Sequence, residues 1–286
     1  MKFRHFLLST ASALALVSVL PVLAAAEDSM AMPGLPAVSA LNGKVAGFAG
    51  SSGSDFTLGS TGSLSFPIHG AWGAQVDGMF GTSGGAGFHG VGGHFFWRDP
   101  ARGLFGVTAS SVGWDQAYTS TLPLRSGDIY NPIQEVTGAT VNRIGVEGEA
   151  YLGRLSLEGA VNYQTGTNTG IAGRATVAFY PSDDLRLDIG VAQSAGLGAS
   201  FRGGGEWAPG GRSFSLFAIA SVSSANTWSA LGGARFYIGK SEKSLIRRHR
   251  EDDPDGLLPE DLYTVVGDSH CPVGTEGHRG FCDGNI

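Results

Sequence analysis

Beyond residue 23 the chain has no run approaching the roughly 20 consecutive apolar residues that a membrane helix requires, so nothing after that point crosses a bilayer as a helix. Two cysteines in 286 residues are too few for a small fold held together by disulfides. Nineteen Lys and Arg against 25 Asp and Glu give a net charge of -6 without any basic run, which argues against a nucleic-acid partner. Glycine is abundant instead, at 46 residues, more than double the roughly 7% of ordinary proteins. It has no three-residue period, so collagen is excluded.

The N-terminus carries Lys2, Arg4 and His5, an apolar run from Phe6 to Leu23, and Ala24-Ala25-Ala26 before Glu27 and Asp28. That order is a secretory signal, expected to be removed after Ala26. Residues 27 to 42, with Met30, Met32, Pro33 and Pro36, read as a flexible mature N-terminus. From residue 43 to 239 the pattern changes to period-two alternation. In Arg154 to Gln164 the apolar parity holds Leu155, Leu157, Gly159, Val161 and Tyr163, while the polar groups share the other parity. This is a two-faced β-strand.

About twelve such strands are expected, near 43-51, 61-68, 72-82, 86-97, 103-113, 138-151, 154-164, 170-180, 184-194, 198-207, 212-222 and 228-239. A chain that enters a membrane with strands must close them into a barrel, because backbone N–H and C=O groups find no water in hydrocarbon. The fold class expected is therefore all-β, a closed antiparallel transmembrane barrel of 10 to 14 strands. Tight turns such as Leu152-Gly153 and Pro181-Ser182-Asp183 alternate with longer connections, Ser52 to Ser60 and Trp114 to Thr137. Short turns on one rim and long loops on the other are the periplasmic and extracellular habit of such barrels. An even strand number leaves both barrel ends periplasmic. Trp72, Trp97 and Trp207 at one set of strand ends, and Trp114 and Trp228 at the other, fit an aromatic girdle at the headgroup level.

The opposite parity carries Lys44, Gln75, Asp77, Arg143, Glu147, Glu149, Arg154, Glu158, Arg174, Arg186, Asp188, Arg202, Glu206 and Arg235. Pairing through the short turns is expected to bring Glu149 near Arg154 and Arg186 near Glu206, with Arg174, Asp188 and Arg202 as the constriction. Two functions follow: a water-filled lumen that passes small solutes with weak selectivity, or an interlocked closed barrel with a structural or surface-binding role. A soluble secreted β-sandwich is a third reading.

Gly85-Ala86-Gly87-Phe88-His89-Gly90 matches a dinucleotide fingerprint in form but lacks the helix and downstream acid that the pyrophosphate and ribose need. Neither it nor any other motif implies a cofactor. His89 and His94 have opposite parity and cannot converge on one metal. No Ser, His and third polar group assemble into a hydrolase arrangement, so no catalytic residue is assigned. Residues 240 to 286 lose the alternation. A short charged helix is expected within 241 to 253, ended by Pro254, in a periplasmic tail where Cys271 and Cys282 form a disulfide. His270 and His278 beside them would permit zinc.

The chain resembles the small porin-like outer-membrane β-barrel proteins of Gram-negative bacteria. The resemblance rests on the signal, on hairpin turns such as Phe96-Trp97-Arg98-Asp99-Pro100, and on the final strand Gly233-Ala234-Arg235-Phe236-Tyr237-Ile238. It implies an outer-membrane location, contact with membrane lipid and lipopolysaccharide, and handling by the barrel-assembly machinery. Two features depart from that pattern: Leu231 stands where a polar residue is usual, and about 47 residues follow the last strand.

Overall fold

A computed structural model of the chain describes residues 35–53, 55–114, 139–167, 169–195, 198–209, 213–224, 228–239, 243–252, 254, 256, 275–278 and 281–284. The signal segment, the expected long loop after Trp114, and Cys271 with its expected disulfide to Cys282 lie outside the described residues.

Twelve strands form the barrel: β1 (Asn42–Ser52), β2 (Asp55–His69), β3 (Trp72–Ser83), β4 (Ala86–Asp99), β5 (Gly103–Trp114), β6 (Thr140–Leu152), β7 (Leu155–Gly166), β8 (Gly170–Ser182), β9 (Leu185–Ser194), β10 (Gly198–Trp207), β11 (Phe214–Ser223) and β12 (Trp228–Ile238). Each strand pairs antiparallel with the next, and β1 closes on β12, from Gly43 opposite Ile238 to Ser52 opposite Ser229. No barrel strand is left with an open edge, so the backbone groups are satisfied within the structure. Helix α1 (Leu245–Glu251) and a hairpin of β13 (Thr275–His278) and β14 (Phe281–Gly284) follow.

Alternation decides which face of each strand is which. Val45, Val91, Phe105, Ile144, Val161, Ile189 and Phe201 are exposed on the outer surface, and their neighbours on the opposite parity are enclosed. An outward face of this kind is stable against hydrocarbon and unstable against water. Trp72, Trp97, Trp207 and Trp228 also lie exposed on this outer face. Trp114 does not: it points inward and is 5% exposed. Its parity is that of Val112, and it packs at a ring-centroid distance of 5.5 Å from Phe88. Position at a strand end does not settle direction; parity does.

A second difference concerns β2. Residues 55–60, expected as loop, are strand, because Phe56 and Leu58 continue the outward parity while Thr57 and Gly59 point inward. The connections at Gly53 and at Gly84-Gly85 are therefore as tight as those on the opposite rim. Gly84 and Gly85 take φ of 58° and 87°, as a two-residue type I′ hairpin turn requires. One long connection, after Trp114, distinguishes the two rims. Both ends of the barrel, Asn42 and Ile238, lie on the rim away from it.

The N-terminal segment and the tail are held by the barrel. Ala37 and Val38 are buried against Phe96 and Leu104, and the Ala37 N–H donates to the Gly70 carbonyl at 3.0 Å. These residues belong to the segment expected to be flexible. Helix α1 lies inside the rim on which the barrel begins and ends, with Leu245, Ile246, Arg248, His249, Arg250 and Glu251 buried.

Candidate functional site: the barrel lumen

Inward side chains sort by arc. On β1, β3 to β6, β11 and β12 they form an apolar cluster in the half of the lumen away from α1: Phe48, Met79, Phe88, Val112, Trp114, Val141, Phe217 and Leu231. Leu231, the departure noted in the last strand, is part of it. The wall opposite the rings is cleared of side chains, since a Cβ at Gly59 would stand 2.6 Å from the Phe48 ring and 2.8 Å from the Phe88 ring. The arc of β7 to β10 carries polar groups over the same height. Ser194 Oγ donates to Gln164 Oε1 at 3.2 Å, and Arg143 Nε donates to the same oxygen at 3.1 Å.

Charges continue down that arc. Arg186 Nη2 bonds Glu158 at 2.9 Å, its Nε lies 3.3 Å from Asp188, and Asp188 in turn accepts from Arg202 Nη2 at 3.1 Å. Four strand-borne charges of alternating sign thus run laterally along the wall. Register explains the contacts: Glu206 stands opposite Arg186 and Gly204 opposite Asp188, and Gly204 leaves Arg202 free to lean back to Asp188. Arg174 is not level with that pair, because it stands opposite Ala192 while Asp188 stands opposite Ala178. Arg186 and Glu206 are neighbours as expected, yet Glu206 bonds Arg235, Ser215 and Tyr237 instead. The expected approach of Glu149 to Arg154 does not occur. Glu149 faces Glu158 in register and accepts from the Tyr151 hydroxyl at 2.6 Å, while Arg154 at the rim pairs with Asp183 at 2.8 Å.

On β3, β4 and β6 a different group forms. His94 Nε2 contacts Asp77 at 2.8 Å and Nδ1 contacts Glu147 at 2.8 Å, all three side chains buried. The imidazole crosses over β5 at Gly106 and Thr108, residues too small to block it. With both ring nitrogens engaged by carboxylates, His94 has none left to activate a hydroxyl. Its role is to hold two acids together in the wall. His89 faces outward on the same strand.

Parity also places His94, Tyr151, Tyr180 and Tyr237 inward, and a sequence reading centred on charge passed over them. The three tyrosines receive α1. The Arg248 guanidinium stacks over Tyr237 at 4.7 Å and that of Arg250 over Tyr151 at 5.0 Å, while the Tyr180 hydroxyl meets His249 Nδ1 at 2.9 Å. Such cation–π contacts are stronger where water is displaced.

Burial holds the His249 imidazole down at about 3, with Arg186, Arg235 and Lys44 adding to the effect against the pull of Glu206. Glu206 lies 3.7 Å from His249, but its oxygens are already engaged by Arg235, Ser215 and Tyr237, so the neutral ring is the docked form. Arg247 and Lys243 hold the Glu251 carboxyl below its usual range although burial raises it. Both shifts have the same sign of linkage. Released into water, His249 titrates near 6.5 and binds more protons than when docked, so docking is complete above that pH and weakens as pH falls towards 3. Protection of the α1 amides against exchange, corrected for intrinsic rates, is expected to fall by up to about tenfold per pH unit below 6.5. His249→Gln should flatten that profile.

A closed, even-stranded antiparallel barrel with an apolar outer band and a polar arc inside is the architecture of the transmembrane barrels of outer membranes. No family model matches the chain, and no curated protein matches it by sequence. Among solved structures, a KdgM porin in complex with disordered oligogalacturonate aligns with TM-score 0.50 at 7% identity, over 68% of this chain and 99% of that one. An outer membrane channel from Pseudomonas putida F1 aligns at 11% identity over 74% of this chain and 100% of that chain, TM-score 0.47. The calcium-bound dimer of the Salmonella typhi outer membrane phospholipase aligns at 10% identity over 70% and 91%, TM-score 0.47. At these identities the likeness is one of fold.

Proposed function

We propose that this protein is a narrow, weakly selective pore for small polar solutes in the bacterial outer membrane, without catalytic activity. The observation that carries the reading is the polar track on β7 to β10, from Gln164 and Ser194 through Arg202 and Asp188 to Glu158 and Arg186. A barrel that only filled its interior would gain more from apolar packing, since buried ion pairs rarely outdo hydrophobic replacements. The apolar arc opposite narrows the bore, and the alternating charges along the track favour neither sign of solute strongly. In this reading the rim holding Asn42 and Ile238 is periplasmic, and Asp77, Arg143, Glu147, Arg174 and Arg235 line the path with the track.

Single-channel recording of the full chain in planar bilayers tests the proposal. Discrete conductance steps are expected, with a reversal potential under a salt gradient that moves toward anion selectivity in Asp188→Asn. Failure to see steps at any voltage from correctly folded protein, both native and with α1 released from the rim, would overturn it. A closed structural barrel is the second reading, favoured by the apolar cluster inside the lumen; it predicts a silent bilayer.

A further inference from the structure

We propose that the segment of residues 243–252, continued by Pro254 and Gly256, is a built-in plug that closes the lumen at the rim where the barrel begins and ends, and that solutes pass only when it withdraws. The proposal rests on the pore reading.

The segment crosses the bore rather than lying along one wall. At its start the Leu245 N–H donates to Asp184 Oδ1 at 3.1 Å and the Ile246 N–H to the Asp183 carbonyl at 3.0 Å, both in the turn between β8 and β9. Arg250 Nη2 then reaches the Leu155 carbonyl on β7 at 2.9 Å. At its end the Pro254 carbonyl accepts from Gln75 Nε2 on β3 at 3.2 Å and from Lys44 Nζ on β1 at 3.4 Å. A Cβ at Gly256 would stand 2.6 Å from Asp77 and 3.0 Å from Ser63. The chain therefore runs from the β8–β9 turn at the rim to the mid-barrel wall of β1 to β3.

The hold is strong enough to close the bore and of a kind that can let go. Two apolar side chains, Leu245 and Ile246, are buried, and the remaining contacts are cation–π, to Tyr237 and Tyr151, or polar: Lys243 Nζ donates to Ser39 Oγ at 2.8 Å, and Ser39 Oγ donates to Asp252 at 2.6 Å. Released, each of these groups is satisfied by water. Seven residues are too few to stay helical alone, so docking and helix formation are one event and the plug is either in place or unfolded. No strand of the barrel depends on it, because all twelve close among themselves.

The test uses the full chain and the variant Leu245→Asp/Arg250→Gln, both checked for barrel folding by heat-modifiable gel mobility and for docking by trypsin, whose site after Arg248, shared by both chains, is buried when the plug is in place. The expected result is rare openings in the native chain and at least a tenfold higher mean conductance in the variant, with its tail cut by trypsin. Equal, non-zero conductance in the two, with the variant's tail cut, overturns the plug and leaves the pore standing. Silence from both overturns the pore reading and the plug with it. Should the double variant fail to fold, Lys243→Gln, which loosens the same segment without adding a buried charge, is read in the same way.

Discussion

Replacing Glu206 by alanine is expected to destabilise the barrel by about 3 to 5 kcal/mol, the range for breaking a buried ion pair from one side. Glu206 is 6% exposed and collects Arg235, the Ser215 hydroxyl, the Tyr237 hydroxyl and the edge of His249. It joins β10 to β11, to β12 and to the helix. Without it the Arg235 guanidinium, stacked 5.2 Å over Phe217, loses the carboxylate it bonds while remaining mostly enclosed. Arg186 stands opposite Glu206 in register, so two guanidinium groups then face a wall position that carries no acid. Ser215 and Tyr237 lose an acceptor at the same moment, and each unmet donor adds to the cost. Urea titration of the refolded protein in lipid, followed by tryptophan fluorescence, gives the number. Glu206→Gln keeps an acceptor for both hydroxyls and should cost less than Glu206→Ala. The pair Glu206→Leu with Arg235→Met should recover much of the loss, because it removes both charges together. A Glu206→Ala value within 0.5 kcal/mol of the native chain would mean that water reaches this site and that the carboxylate was never in a dry environment.

The strand count and the inward parity were legible in the sequence because alternation with period two is a direct image of a wall with two different solvents. The strand-borne charges from Asp77 to Arg235 share the parity of the enclosed side chains, while Arg154 falls in the turn before β7. The partners were not legible. Arg154 turned to Asp183 at the rim, and Glu147 found His94 across β5, because partner choice depends on stagger between strands and on which intervening residue is glycine. A sequence fixes neither quantity by pattern alone. Trp114 shows the same limit from the other side: its place at a strand end suggested a lipid headgroup, while its parity with Val112 turned it inward. The role of 243 to 256 had no pattern to betray it. Seven residues of helix with three arginines and a histidine read as a solvated tail, and only the inward tyrosines at the ends of β6, β8 and β12 supply the counterpart that makes such a segment stable inside a barrel.

Glycine content, the most conspicuous departure in composition, leads to the second large effect. Gly81→Val is expected to cost at least about 3 kcal/mol, the upper end of what overpacking usually does, and to lower the yield of folded barrel. Gly81 pairs with Gly59 across β2 and β3, and together they leave a patch of bare backbone on the inner wall. A Cβ at Gly81 would lie 2.3 Å from the Leu58 carbonyl oxygen and 2.3 Å from the Phe88 ring. Phe88 has little room to move, since it stacks against Phe48 at 6.4 Å and meets Trp114 edge-on at 5.5 Å. The valine must therefore displace the aromatic cluster, part the β2–β3 ladder, or both. Two companions separate these costs. Gly78→Ala on the same strand, where a Cβ meets nothing within 4 Å, should stay within about 0.5 kcal/mol of the native chain. Adding Phe88→Ala to Gly81→Val relieves the ring contact but not the Leu58 carbonyl contact, so partial recovery assigns the remainder to the backbone. Full tolerance of Gly81→Val would show that the rings do not rest on the wall, and the apolar arc that narrows the bore would then have to be placed elsewhere.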